Sequence, residues 1–193
     1  MEHFTTARLL ARDWTADDVE AAFAIYGRDE VTRWLGPQPR QPVPSLAHMG
    51  QVLDRRIARS REQPDYGLWA LELRATGQLV GAVLLSPLPE DTAVEIGWHL
   101  NPDCWGAGYA TEAGRGAIAL AFGLDRVGRD QIEPGLASRS ARPVLDRVLA
   151  LVDPDNIRSL SVCRRLGMRH VGQTGRYYGV TLELFELTRA AAS

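Results

Sequence analysis

The sequence is short of the features that take a chain out of the cytosol or onto a nucleic acid. It holds two cysteines, Cys104 and Cys163, with no metal-ligand spacing around either. The two could in principle pair, but in a reducing compartment both thiols are expected to be free, and the spacing offers no cysteine-built metal site. No apolar run reaches the length of about 18 residues that a transmembrane helix needs. Met1 to Arg8 also lack the basic-then-apolar order of a secretory signal, so a cytoplasmic location is expected. Neither sign of charge is in excess: 22 basic and 24 acidic residues give a net charge of −2, which leaves no basic surplus for nucleic acid. What is present is ordinary for a globular chain. With 193 residues, 45% hydrophobic and 24% charged, one domain spanning 1–193 can bury a proper core, with no membrane partner.

One stretch stands out against this background, Trp105-Gly-Ala-Gly-Tyr-Ala-Thr-Glu112. It follows a strand-like segment from Ala93 to Leu100 and leads into an alanine-rich helical pattern that runs to about Phe122. A strand, a turn with two glycines and a helix start gather backbone N–H groups and the positive end of a helix dipole around one point, where a pyrophosphate would sit well. Gly106 and Gly108 permit unusual dihedrals and close approach, and Ala110 keeps the next turn small. Taken alone, the same residues also describe a plain turn.

The rest of the chain supplies the frame. Val19, Ala22, Phe23 and Tyr26 recur at helical spacing behind capping residues between Asp13 and Asp18. Val31 to Leu35 reads as a further turn with Trp34 as its buried anchor. Four prolines between Gly36 and Pro44 exclude helix and central strand and leave an extended loop. Ser45 caps a helix with Leu46, Met49, Val52, Leu53 and Ile57 on one face, and the opposite face, with Arg55, Arg56, Arg59 and Arg61, reads as solvated. Leu68–Leu73, Leu79–Leu85 and Ala93–Leu100 are strands whose short connections imply an antiparallel meander. Val148–Val152 is a further strand, Ile157–Leu166 a helix closed by Gly167, and Met168–Val171 and Thr181–Leu187 the last strands. The sum is an α/β (α+β) domain: a mixed, mostly antiparallel sheet of six to seven strands flanked by about four helices.

One segment interrupts this order. Leu124-Asp-Arg-Val127 recurs as Leu145-Asp-Arg-Val148, and removing 124–144 would leave a normal helix-to-strand connection. The segment therefore reads as an insertion. A cover over the site, a homodimer contact and a stretch with little regular structure are all open for it.

Several pieces now stand in one order: Ala7-Arg-Leu-Leu10, Val31-Thr-Arg-Trp-Leu-Gly36, Glu95-Ile-Gly-Trp98, Trp105 to Ala113, and Asp153-Pro-Asp-Asn-Ile-Arg-Ser159 with Cys163 and Leu166-Gly-Met168. In that order the chain resembles the GNAT family of acyl-CoA-dependent N-acetyltransferases, and within it the RimJ/RimL group, which acetylates N-terminal amines of ribosomal proteins. The family's pyrophosphate loop, Gln/Arg-x-x-Gly-x-Gly/Ala, is matched at Gly108 and Ala110, whereas Trp105 replaces the polar first residue. The resemblance implies acetyl-CoA as co-substrate and no metal. Its pyrophosphate would lie on Gly106, Ala107, Gly108, Tyr109, Ala110 and Thr111, and its pantetheine beside Trp98, His99 and Leu100, where two strands splay apart. By the same resemblance Asn156 contacts the pantetheine or steadies the splayed strands, Ser159 returns a proton to the thiolate, and Tyr177 and Tyr178 line an acceptor pocket that Trp34 and the loop 36–44 close. Many relatives place a tyrosine acid where this chain has Cys163.

Amide formation from a thioester needs a neutral amine, yet alkyl amines are mostly protonated near neutral pH, so a base must take a proton. Alternation along Ala93 to Leu100 puts Glu95 and His99 on one face with Ala93 and Gly97, and Val94, Ile96, Trp98 and Leu100 on the other. A carboxylate on a buried strand should have a raised pKa, which suits a base, and Glu95 is the first candidate. His99 is the alternative, though a β-bulge of the kind the family often has on this strand would reverse its facing. Cys163, a poor acid at an ordinary thiol pKa near 8.5, reads as packed core. The expected function is acetyl transfer to a primary amine, either a protein N-terminus or a small molecule, by direct attack in a ternary complex. Two rivals are a GNAT-fold module that binds acyl-CoA without catalysis and a dinucleotide-binding domain. The missing Gly-x-Gly-x-x-Gly spacing and the antiparallel strands oppose the second.

Overall fold

The computed structural model of the chain describes residues 1–124 and 143–192. Among them eight strands form one sheet. β1 (Glu2–Thr5) and β2 (Leu9–Arg12) make a hairpin beside β3 (Gly67–Leu73), and the antiparallel meander continues through β4 (Leu79–Pro87) and β5 (Val94–Leu100). β6 (Arg147–Val152) runs parallel to β5, after which β8 (Leu182–Thr188) and β7 (Arg169–Thr174) follow antiparallel, giving the order β1-β2-β3-β4-β5-β6-β8-β7. The mixed, mostly antiparallel architecture is as expected, with eight strands in place of six to seven. β1 carries no local strand signal, for a physical reason. His3 and Phe4 are both buried and the pairing register shifts between Glu2 and Phe4, so a bulge breaks the period of two that marks a strand.

Among the described residues six α-helices flank the sheet: α1 (Val19–Tyr26), α2 (Asp29–Thr32), α3 (Leu46–Glu62), α4 (Tyr109–Ala121), α5 (Ile157–Arg165) and α6 (Arg189–Ala192). Alternating side chains divide the core. Trp69, Leu71, Val80, Val83, Ile96 and Leu100 pack with α4 and α5, and Ala70, Leu79 and Ala82 pack on the other face with Ile25 and Tyr26 of α1 and Met49 and Leu53 of α3. Each large side chain buried this way contributes about 1.5–3 kcal/mol.

Three local expectations are refined. Ser45 does cap α3, its Oγ accepting from His48 N at 3.2 Å. Arg55, Arg59 and Arg61 are exposed as expected, but Arg56, three residues after Leu53, turns inward. Its guanidinium lies 4.2 Å from the Tyr26 ring centroid and 5.8 Å from that of Trp14, and its Nη1 is buried without a hydrogen-bond partner. α2 ends at Thr32, so its buried anchors are Val31 and Thr32, while Trp34 lies beyond the helix, half-buried.

Two features position the site. β5 and β6 share one ladder pair, Glu95 with Leu149, so the sheet is joined there at a single point. On the chain's path to β6, Leu145 N donates to Ala121 O at 2.9 Å. The interior of the segment 124–144, residues 125–142, and the roles open for it lie outside the described residues.

Candidate active site

The glycine turn is built by anchoring its first residue and freeing its last. Trp105 Nε1 donates to the Leu100 carbonyl at 3.0 Å, so the indole fastens the loop to the end of β5. Gly106 and Gly108 both have φ +82°, a conformation that costs any residue with a Cβ about 1–2 kcal/mol. Gly108 caps α4 without any side chain accepting from the first-turn N–H groups, which leaves those donors and the dipole open to an anion.

A clasp holds the loop from behind. Glu112, in the first turn of α4, accepts from Thr6 Oγ1 at 2.6 Å, Arg8 N at 2.8 Å and Arg8 Nε at 2.6 Å, while Arg8 Nη1 donates to the Ala107 carbonyl at 3.0 Å. Burial works against the Glu112 charge, but the bonds from Thr6 and Arg8 outweigh it and hold the carboxyl below its usual range. Arg8 had no role assigned from sequence, although it stands inside the Ala7–Leu10 piece; its partner is 104 residues away, beyond the reach of any local pattern.

In front of the loop runs a groove of about 920 Å³. Trp98, His99, Leu100, Trp105, Gly106, Gly108, Tyr109, Ala110 and Thr111 line one side, and Asn156, Arg158, Ser159 and Arg165 line the other. Ala107 lies outside this lining. The Arg158 guanidinium stacks 4.6 Å from the Trp105 ring centroid and Arg165 Nε donates to Thr111 Oγ1 at 3.2 Å, so α5 brings two cations to a loop whose own first residue is uncharged. Asn156 caps α5, its Oδ1 accepting from Ser159 N at 3.1 Å.

A second, smaller cavity of about 160 Å³ adjoins the groove. Its floor is Glu95, Gly97 and His99; Trp34, Arg40 and Tyr178 stand around it. β4 and β5 pair without a register shift from Pro87 with Val94 to Gly81 with Leu100, so no bulge reverses His99, and it shares the face of Glu95. The Glu95 side chain is buried, and Tyr178 Oη donates to its Oε2 at 2.5 Å. Burial pushes the carboxyl up to about 7, against the lowering effect of the Tyr178 bond. Tyr178 itself has φ +60°, and its strap is pinned by Tyr177 Oη donating to Asp91 Oδ2 at 2.6 Å and by Arg176 paired with Asp91 at 3.1 Å. Tyr177 is buried among Leu88, Ala93 and Leu149 and lies outside the cavity lining. Arg40 ties the proline loop down, donating to Asp153 Oδ2 at 2.5 Å and to the Gly36 carbonyl at 3.0 Å.

His99 Nδ1 lies 3.1 Å from Tyr26 Oη. Burial, then the charge of Arg56, push the imidazole down to about 3. A ring so weakly basic is a poor proton acceptor at neutral pH, and this weighs for Glu95 as base. Burial drives the Cys163 thiol up to about 12, and Cys163 packs in the core outside both depressions. The groove and the cavity meet at Trp34, Leu35, Trp98, His99, Asn156 and Ser159, which line both.

Residues 8–169 match the family model of the acetyltransferase (GNAT) domain. YoaA of Bacillus subtilis (strain 168), an uncharacterised N-acetyltransferase, is 31% identical over 128 residues, covering 64% of this chain and 70% of that protein. A GNAT-family acetyltransferase structure from Bacillus anthracis superposes with a TM-score of 0.74 at 19% identity, over 98% of this chain and 99% of the other. RimL, a ribosomal L7/L12 α-N-protein acetyltransferase solved with coenzyme A, superposes with a TM-score of 0.66 at 15% identity over 100% of both chains. The resemblance to the RimJ/RimL group thus extends to the fold. Since the family model spans most of the sequence and N-acetyltransferases are its relatives, the chain belongs to the GNAT family and is an acetyltransferase.

Proposed function

We infer that the protein transfers the acetyl group of acetyl-CoA to a primary amine by direct attack, with Glu95 taking the amine's proton. The observation that carries this reading is the junction of the two depressions: a groove large enough for a nucleotide-bearing thioester opens at Trp98 and His99 onto a small cavity floored by a buried carboxylate. The pyrophosphate lies on the N–H groups of residues 106–111, the pantetheine passes Trp98 to Leu100 and Asn156, and Ser159 or water protonates the leaving thiolate. A carboxyl titrating near 7 is matched to its task, because it is ionised in a large share of molecules at neutral pH and still basic enough to accept a proton.

The size of the cavity narrows the acceptor. A void of about 150 Å³ takes one benzene, so the roughly 160 Å³ here admits about six heavy atoms. An amine with its first few carbons fits, and the remainder must lie outside. The α-amine of a protein N-terminus meets that description, and RimL, by its name, acts on such an amine. Trp34 and Tyr178 form the walls against which it rests.

The test is release of free thiol from acetyl-CoA with short peptides of free N-terminus and with small alkyl amines, beside mass spectrometry of lysate proteins treated with the enzyme. Acetylated N-termini and thiol release with peptides are expected. Tight acetyl-CoA binding without transfer to any amine or protein would replace the reading with a binding module.

A further inference from the structure

Gly97 lies between Glu95 and His99 on one face of β5. At about 3.4 Å per residue the Cα atoms of Glu95 and His99 stand roughly 14 Å apart, and Gly97, which has no side chain, lines the cavity between them. Of the two, His99 alone also lines the groove. A thioester arriving along the groove therefore meets His99 first, with Glu95 beyond it on the side of the amine.

The contacts behind His99 determine which nitrogen carries its proton. Tyr26 is buried, and burial keeps its phenol protonated. Arg56, a cation that can only donate, packs on the Tyr26 ring at 4.2 Å from the centroid. Its charge favours a phenol whose oxygen lone pairs face the guanidinium and whose proton points away, towards Nδ1 of His99 at 3.1 Å. A neutral imidazole that accepts at Nδ1 carries its hydrogen on Nε2. Among the described residues no group accepts from Nε2, and the ring lines both depressions.

We propose that Nε2–H of neutral His99 donates a hydrogen bond to the carbonyl oxygen of the thioester and holds it as charge develops there. The assignment rests on the acetyl-transfer reading of the site. The amine nitrogen bonds to the carbonyl carbon and the C=O electron pair moves onto the oxygen held by His99. Glu95 takes one amine proton. Collapse restores C=O, the C–S bond breaks, and the thiolate leaves and is protonated by Ser159 or water. His99 keeps its proton throughout, so it acts as a fixed dipole aimed at the developing charge.

The experiment joins kinetics to spectroscopy. Loss of one such donor lowers kcat by about 10²–10³-fold, so H99L should show that loss with the KM for acetyl-CoA little changed. H99Q, whose amide N–H reaches the place of Nε2, should recover much of it. Nitrogen-15 NMR of the wild-type ring, which needs no variant to fold, should show Nε2 protonated and Nδ1 not. H99L with wild-type kcat, alongside an inactive E95Q, would overturn the role of His99 and leave the acetyl-transfer reading intact, and so would a ring protonated at Nδ1. Absence of thiol release by the wild-type enzyme with every amine would remove the acetyl-transfer reading and this inference together.

Discussion

Replacing Tyr178 by Phe removes one hydroxyl and leaves the ring that walls the cavity. That hydroxyl donates at 2.5 Å to Glu95, the one group whose bond opposes the effect of burial on its carboxyl. A hydrogen bond to a charged acceptor contributes about 1.5–3 kcal/mol, against about 1 kcal/mol to a neutral one. The bond therefore favours the ionised carboxyl by about 1–2 kcal/mol, or roughly one pKa unit. The Glu95 carboxyl, near 7 in the wild type, should titrate about one unit higher in Y178F. Because the base must be ionised, the acid limb of kcat/KM moves up by the same amount. At pH 7 the ionised fraction falls from about a half to about a tenth, a loss of about fivefold that disappears above pH 9. Initial rates of thiol release between pH 5.5 and 9.5 measure this directly. The strap stays pinned through Tyr177 and Arg176 to Asp91, so the ring at 178 keeps its place. An acid limb that does not move in Y178F would refute both the coupling and Glu95 as the titrating base.

Three other outcomes are expected. The folded-state pKa of Glu95 is raised, so its contribution to stability is complete below about 4.5 and is lost as pH rises through about 7. That difference amounts to about 3 kcal/mol, and E95Q, besides losing activity, should melt roughly 6–12 °C above wild type at pH 9 and close to it at pH 4.5. E112A frees Arg8 and the Ala107 carbonyl together; the KM for acetyl-CoA should rise about tenfold with kcat unchanged, as read from saturation kinetics. C163A should keep wild-type kcat and pH profile, since a buried thiol held at about 12 has no part in proton transfer, and a large fall in kcat would restore Cys163 as the acid.

The elements that proved legible in sequence are those whose signal is local. β3, β4 and β5 show in their apolar runs and short turns, α3 in Ser45 and its apolar spacing, and α5 in its closing Gly167. Parity on β5 sufficed to set Glu95 and His99 on one face because the strand pairs with β4 without a bulge. β1 was hidden by its bulge, and Trp34 by the early end of α2. What no local pattern could reveal is pairing across distance: Arg8 with Glu112, Arg40 with Asp153, Arg56 behind Tyr26 and His99, and Tyr178 rather than its neighbour Tyr177 on Glu95. Each of these depends on which helices, strands and loops become neighbours in the fold.

The crossing from α4, which ends at Ala121, leads to β6, the strand that joins the two parts of the sheet through the single pair Glu95 with Leu149. Five strands precede that crossing and three follow it, and the crossing is closed at its base by Leu145 N on Ala121 O. A closed base makes the length of the intervening chain nearly indifferent to the sheet, since doubling a loop costs only about 0.6 kcal/mol in closure entropy. Residues can therefore be gained or lost there in descent without disturbing the strands on either side. Parallel pairing of Glu95 with Leu149 puts Leu145 before that pair and the groove residues Trp98 to Leu100 and Asn156 beyond it, so growth at this base leaves the walls of the groove in place.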